Sequence, residues 1–374
     1  MKIGIDTFGC DHGRSGLGSY LQSLVAALPA DSDIHYELFG AEMDRYTYNS
    51  ETESTFFAVN VPDSLGAERF WHQYLFNKFC RKRSYDAVLF PAVVRNMSLK
   101  LKVPGIAVVN DVISALIRSG TDSWLKKLLK KGLKNADCII AASNYIKQDL
   151  IRLGIAAEKI SVIYNGIDHS FFFQRPFLDT GSGIVDVKPF AIKRPYFIYP
   201  SRTQGPSKKH IELITAFQKF KQKTQLPHRL VLAGSDGPYA EEVKQAALKS
   251  SAASDIFLTG YFPHESLPFL YSGAEACVFP SVYEGVGLPV LEAMASGIPV
   301  ACSSSGSLPE ISGGNAAFFD SDNTDEIEAA LERIVLDKAF REKLIKDGTE
   351  WVSRFSWKTT AAETLKLIKR YAER

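Results

Sequence analysis

The chain has 374 residues, 45% apolar and 23% charged, with 44 Lys and Arg against 42 Asp and Glu for a net charge of +2. At roughly 150 residues per domain this length suits two domains or three, and the balance of apolar to charged residues excludes disorder, collagen and coiled coil as the main architecture. The near-neutral charge gives no sign of a nucleic-acid partner, and five scattered cysteines without a Cys-x-x-Cys pair argue against a disulfide framework or a zinc site and fit a reducing cytosol.

In chain order, Lys2–Asp6 reads as a strand. Asp6 and Gly9 interrupt its apolar run, so no signal-peptide core is expected, and no later stretch approaches the ~20 apolar residues of a membrane-spanning helix. Tyr20–Leu28 reads as a helix, and 36–39, 87–90, 105–109 and 138–141 as strands. Asn144–Leu153 is a helix and 160–163 a strand. Between Phe171 and Arg194 the periodicity stops. Pro176, Gly181, Ser182, Gly183 and Pro189 make this segment an expected interdomain linker. Alternation then resumes, with strands at 196–199, 229–233, 256–259, 277–279 and 299–302. The matching helices are 210–220, 240–249 and 325–336. Strand–helix alternation implies an α/β architecture of parallel sheets. The expectation is two Rossmann-like domains facing across a cleft, 1–175 and 176–355, with 356–374 returning to the first.

The segment Val278–Cys302, VFPSVYEGVGLPVLEAMASGIPVAC, carries the most chemistry. A strand ends near Pro280, and a loop follows with Glu284, Gly285 and Gly287. Pro289 marks the start of a short helix near Leu288, and Gly297 marks its end. The first amides of such a helix are unpaired, and the two glycines let a ligand reach the backbone, which makes an anion site suited to a diphosphate. Glu284 precedes the helix and Glu292 falls in its first turn, so both carboxylates can accept hydrogen bonds from sugar hydroxyls. The alternative for Glu292 is an acid that stabilises the helix dipole.

This segment resembles the Glu-(seven residues)-Glu signature of the family-4 glycosyltransferases. Tyr283-Glu284-Gly285-Val286-Gly287-Leu288-Pro289 and Leu291-Glu292-Ala293-Met294-Ala295 both fit it. Further likeness lies in Ala136-Asp137 through Ser143, Glu158-Lys159-Ile160, Asn165-Gly166-Ile167-Asp168, Gly260-Tyr261, Leu267-Pro268, Leu270-Tyr271, Ala274 and Ser307-Leu308-Pro309-Glu310. The resemblance implies the GT-B fold and transfer with retention of anomeric configuration. A nucleotide-diphosphate sugar is then a substrate rather than a cofactor, with the donor in the second domain and the acceptor in the first. It places Glu284 near the donor sugar and Glu292 on the ribose hydroxyls. Overall similarity to bacterial polysaccharide mannosyltransferases favours a mannose donor, with glucose, galactose and N-acetylglucosamine donors open as alternatives and base contacts made largely by backbone near Gly234-Ser235 and Tyr261-Phe262.

Arg202 and Lys208 follow the first strand of the second domain, with Gly205 and Pro206 between them. Two cations beside a helix start suit a β-phosphate on which charge grows as the glycosidic bond breaks; a solvated basic loop is the other reading. Gly13-Arg14-Ser15-Gly16-Leu17-Gly18 is expected to be a loop between the first strand and first helix. Its Gly-x-x-Gly-x-Gly spacing is not the dinucleotide fingerprint. Beside the donor residues it resembles the family's loop that closes on diphosphate and acceptor, with Gly16 offering its backbone; a plain turn is the alternative. Glu37 lies near the end of the second strand, where a ribose-binding acid would be. Asn110-Asp111 stands where related enzymes carry His-Asp, and asparagine can bond a sugar hydroxyl but does not titrate near neutral pH.

Trp124–Lys134, WLKKLLKKGLK, has five lysines and no acid. It reads either as a basic amphipathic helix for an anionic membrane surface or as a packed helix with wet lysines. Asp31-Ser32-Asp33 and Asp320-Ser321-Asp322 read as turns and caps, and the histidines lack ligand spacing, so no metal is expected. The expected function is a cytoplasmic hexosyltransferase, free or peripheral on the inner face of the membrane, acting on a glycan or lipid-linked acceptor in surface polysaccharide synthesis. A nucleotide-sugar epimerase on the same fold and a catalytically silent sugar-binding homologue are the rivals.

Overall fold

The structure, a computed structural model, describes residues 1–48, 54–93, 95, 97–119, 123–175, 183–187 and 190–373. It divides into two compact units, Met1–Gly166 with Phe355–Arg374, and Ile167–Arg354.

The first unit is built on seven parallel strands: β1 (Lys2–Asp6), β2 (His35–Gly40), β3 (Thr55–Ala58), β4 (Ala87–Phe90), β5 (Gly105–Val109), β6 (Cys138–Ala141) and β7 (Ile160–Val162). They lie in the order β3-β2-β1-β4-β5-β6-β7. Every residue of β4, β5 and β6 is buried, as helices on both faces of a parallel sheet require, and this is why those strands are unbroken apolar runs. β3, at the edge, alternates exposed and half-buried residues and is only four residues long, too short to show a period in the sequence.

The first helix spans Gly16–Ala26 rather than starting at Tyr20. Ser15 caps it by accepting a hydrogen bond from the Gly18 amide (3.3 Å), so the last two glycines of the expected loop lie inside the helix. Gly18 is obligatory there, since a Cβ would sit 2.4 Å from the Cys10 carbonyl oxygen; Gly16 has open space where its Cβ would be.

The last helix, Trp357–Ala372, packs on this first helix. Ala361, Leu365 and Ile368 join Leu21, Leu24 and Val25 in one core, and Thr360 Oγ1 donates to the Tyr164 carbonyl (2.8 Å). Gly166 makes the close approach possible, because a Cβ would lie 2.0 Å from the Trp357 amide nitrogen. Gly166→Ala is expected to cost at least the ~1–3 kcal/mol of ordinary overpacking, read as a lowered urea midpoint for the first unit's transition.

The second unit holds β10 (Tyr196–Pro200), β11 (Arg229–Ala233), β12 (Ile256–Gly260), β13 (Ala276–Phe279), β14 (Val300–Ser303) and β15 (Ala317–Phe319), all parallel, in the order β12-β11-β10-β13-β14-β15. The short edge strand β15 has no counterpart in the expected elements. The expected linker is not a passive connection. Residues 176–182 and 188–189 lie outside the described residues, but β8 (Ile184–Val187) and β9 (Phe190–Lys193) form an antiparallel hairpin. Val185 and Ile192 are buried, and Arg194 Nε donates to the Gly273 carbonyl (2.8 Å). Val185 and Ile192 of this short ribbon pack on the unit, but Pro176, Gly181 and Gly183 just before it and Pro189 at its turn hide the pattern. The units divide at Gly166/Ile167, ahead of the expected 175/176 boundary, because Phe172 is buried in the second unit against Tyr271 (ring centroids 6.0 Å).

Candidate functional site

In the second sheet the chain winds outward from β10 in one direction and then from β13 in the other. The carboxyl ends of these two neighbours mark the switch point at which open α/β sheets take ligands. The loop after β10 delivers Lys208 and the loop after β13 delivers Glu284. They meet there: Lys208 Nζ donates to Glu284 Oε1, and both side chains are mostly buried.

Both loops are tied down. Tyr199 Oη donates to the Lys208 carbonyl (2.7 Å), and the Val282 amide to the Ser207 carbonyl (3.0 Å). Ser307 donates its hydroxyl (2.9 Å) and its amide (3.1 Å) to the Glu284 carbonyl. Beneath Lys208, His210 is fully buried against Tyr199 (4.7 Å between rings). Burial pushes its imidazole down to about 4, so it packs as a neutral ring and adds no charge beneath the lysine. Lys209 points elsewhere, to Glu212 and Asp322.

The helix after Glu284 runs Leu288–Ala295, with Pro289 at its second position and Gly287 before it at φ 69°. Gly297 follows its end at φ 73°. Glu292 is the fifth helical residue, so it lies in the second turn, not the first, and the helix-dipole reading loses its basis. Instead Tyr271 Oη donates to Glu292 Oε2 (2.8 Å). Burial raises the Glu292 carboxyl to about 7, against the lowering effect of that hydrogen bond. Tyr271, itself fully buried, is the residue that sequence reasoning gave no role. It sits in an apolar helix, LPFLYSG, and nothing in its spacing ties it to Glu292.

The other expected donor-side residues cluster on the same edge. Arg202 follows β10 with an exposed side chain. Gly234 and Ser235 follow β11, where a Cβ on Gly234 would meet the Ser201 carbonyl oxygen at 2.3 Å. Tyr261 and Phe262 follow β12, Tyr261 being 76% exposed. Gly285 lies in the Glu284 loop. Chemically this edge offers cations and a helix amino end for a diphosphate, and carboxylates for hydroxyls.

Gly16, Asn110 and Asp111 belong to the first unit. Asn110 follows β5, and its Oδ1 accepts from Asn165 Nδ2 (3.4 Å). Glu37 is no ribose ligand. It is buried within β2, where burial alone would raise its carboxyl, but hydrogen bonds from Arg83, Tyr85 and Lys2 hold it down at about 2. Both Asp-x-Asp segments form turns: Asp31 accepts from the Asp33 amide (3.0 Å) and pairs with Lys369, and Asp320 accepts from the Asp322 amide (3.0 Å). Asn323, not an aspartate, caps the helix that follows. The basic segment is helical over Ser123–Asn135. Leu133 is buried, and Lys127, Lys130, Lys131 and Lys134 are exposed. The side chains of Trp124, Leu125 and Lys126 lie outside the described residues. No helix among the described residues is long and apolar enough to cross a membrane.

Comparison with known proteins matches two family models in succession, Glycosyltransferase Family 4 over residues 14–171 and Glycosyl transferases group 1 over 185–351. O-antigen chain mannosyltransferase B of Escherichia coli is 28% identical over 247 residues, covering 66% of this chain and 64% of that one, so the chain spans less than two thirds of that relative's length. Among solved structures, sucrose-phosphate synthase from Thermosynechococcus elongatus matches with a TM-score of 0.77 and 20% identity, covering 99% of this chain and 98% of that one. Anabaena HepE in complex with UDP and glucose matches at 0.74 and 19%, covering 99% and 100%. Two parallel Rossmann-like sheets matched in turn by these models, with the paired-glutamate signature at the edge of the second, place the chain in the family-4 glycosyltransferases of the GT-B fold.

Proposed function

We propose that the chain is a retaining hexosyltransferase. It moves a sugar, mannose by preference, from a nucleotide-diphosphate donor to a hydroxyl of a glycan or lipid-linked acceptor in surface polysaccharide synthesis. The observation that carries this is the Lys208–Glu284 pair at the β10/β13 switch point, beside the helix that bears Glu292. In this reading the second unit takes the donor. Lys208, Arg202 and the helix amino end receive the diphosphate, Glu284 the sugar and Glu292 the ribose. The first unit takes the acceptor. As charge develops on the leaving phosphate, Lys208 exchanges Glu284 for the phosphate oxygens, which frees the Glu284 carboxylate for a sugar hydroxyl.

Mannose rests on the named activity of the O-antigen mannosyltransferase relative; the UDP and glucose bound by HepE are the opposing indication. Thermal-shift measurements with GDP-mannose, UDP-glucose, UDP-galactose and UDP-N-acetylglucosamine test it. Binding raises the unfolding midpoint by mass action, and GDP-mannose is expected to give the largest rise. A larger rise with any UDP-sugar overturns the mannose assignment.

A membrane role follows from the exposed lysines of 123–135, each worth about 1 kcal/mol beside an anionic surface. Flotation with phosphatidylglycerol vesicles is expected at low salt and to be lost at high salt. The second reading, a sugar-binding homologue without transferase activity, is favoured by Asn110 alone. It predicts donor binding without nucleotide release on any acceptor.

A further inference from the structure

The first sheet repeats the arrangement of the second. Its strand order reverses between β1 and β4, and here too the two following loops meet through an ion pair. Arg95, after β4, grips both carboxylate oxygens of Asp11, after β1, with Nη2 donating to Oδ2 at 2.8 Å. A ligand crevice is therefore expected at this point as well.

The residue presented there is His12. Its Nδ1 lies 2.6 Å from Asp44 Oδ1. Asp44 is buried and also accepts from the Thr7 hydroxyl. A carboxylate oxygen only accepts, so Nδ1 carries the hydrogen, and in the tautomer this selects the lone pair is on Nε2. Among the described residues the ring's hydrogen bond is the one to Asp44, and the side chain keeps 29% of its surface.

The backbone is bent to achieve this. Asp11, His12 and Gly13 have φ of 51°, 51° and 82°, three successive left-handed residues of which only the last is glycine. Side-chain-bearing residues adopt this conformation against their preference and persist in it when their surroundings over-determine it. Tyr48 Oη accepts from the Gly13 amide (2.8 Å) and donates to the Cys10 carbonyl (3.0 Å), while Arg95 and Asp44 hold the two strained side chains. The Asp44 carboxylate holds the ring, the neighbouring Asp11 carboxylate interacts with it electrostatically, and Arg95 is already engaged by Asp11, an environment better suited to a hydroxyl donor than to an anion.

We propose that His12 Nε2 accepts a hydroxyl of the saccharide that receives the transferred sugar, with Asp44 as the positioning residue that fixes the ring. This rests on the transfer reading above and adds to it a specific acceptor-binding side chain in the first unit. None of the residues expected from the sequence supplies it.

Two measurements on the full chain keep the two ideas apart. Calorimetric titration with GDP and UDP tests the transfer reading. The His12 Cε1–H resonance, identified as the one lost in His12→Gln, tests this site. It is followed while methyl α-mannopyranoside, α-glucopyranoside or α-galactopyranoside is added. At least one glycoside is expected to move it in the wild-type chain. In Asp44→Asn the same shift is expected to need about tenfold more glycoside, the value of one hydrogen bond to a charged group, with nucleotide affinity unchanged. A His12 resonance indifferent to all three glycosides, or one that responds equally in Asp44→Asn, overturns the proposal. If neither nucleotide binds, the transfer reading fails, and the glycoside titration still decides whether this turn binds saccharide.

Discussion

Replacing Lys208 by alanine is expected to lower sugar transfer by about 10²–10³-fold, the usual loss when one preorganised donor to a developing negative charge is removed. Its ammonium group stands at the β10/β13 switch point with Glu284 as its partner. In the proposed transition state that partner becomes the departing diphosphate. The fold does not depend on the side chain to the same degree. Both ends of the pair keep some contact with water, so Glu284 can be rehydrated when its partner is lost, and the backbone of residue 208 is held independently by Tyr199. The unfolding midpoint should therefore move little while nucleotide release from the sugar donor collapses. Lys209→Ala is the matched control, because its ammonium binds Glu212 and Asp322 instead. It is expected to leave transfer intact. Equal turnover in Lys208→Ala and wild type would remove Lys208 from the chemistry.

The second large effect concerns Glu292 and pH. Its carboxyl sits at about 7, raised by burial, and the proposed ribose hydroxyls donate to the ionised form. Nucleotide affinity should then fall as pH drops through about 7, since protonation turns an acceptor oxygen into a donor. Glu292→Gln should abolish that dependence and weaken binding above that pH by about 10- to 100-fold, the value of hydrogen bonds to a charged group. Tyr271→Phe removes the hydrogen bond that favours the ionised form, so its midpoint should move to higher pH. Stability runs the opposite way. The folded carboxyl titrates above its ordinary value of 4.5, so this group favours folding below that value, and the contribution is lost as pH rises through about 7. Calorimetry of nucleotide binding and of unfolding across this range separates the two. A flat affinity profile in the wild-type chain would remove Glu292 from the nucleotide site.

Much of this was legible in the sequence because the features concerned are local. Pro289 and Gly297 bracket their helix within the sequence itself, and the buried central strands β4 and β5 announce themselves as unbroken apolar runs. What stayed hidden depends on contacts between distant segments. Tyr271 and Glu292 are joined only once two helices pack. His12 and Asp44 are 32 residues apart, and the left-handed turn that joins them has no composition of its own. The hairpin 184–193 was masked by the glycines and prolines around it, and β3 and β15 are too short at sheet edges to show a period. The first helix starts earlier than its apolar period suggests because its first turn carries Gly16 and Gly18, of which Gly18 is required for close packing.

The docking of Trp357–Ala372 onto Gly16–Ala26 makes the second unit an insertion between the two pieces of the first. During synthesis at about 5–20 residues per second, the early-made sheet must wait roughly 10–40 s for its closing helix to leave the ribosome. For that interval Leu21, Leu24 and Val25 lack their final cover, leaving apolar surface of the kind that makes incomplete chains prone to aggregate. The inserted unit is contiguous over Ile167–Arg354 and is under no such delay.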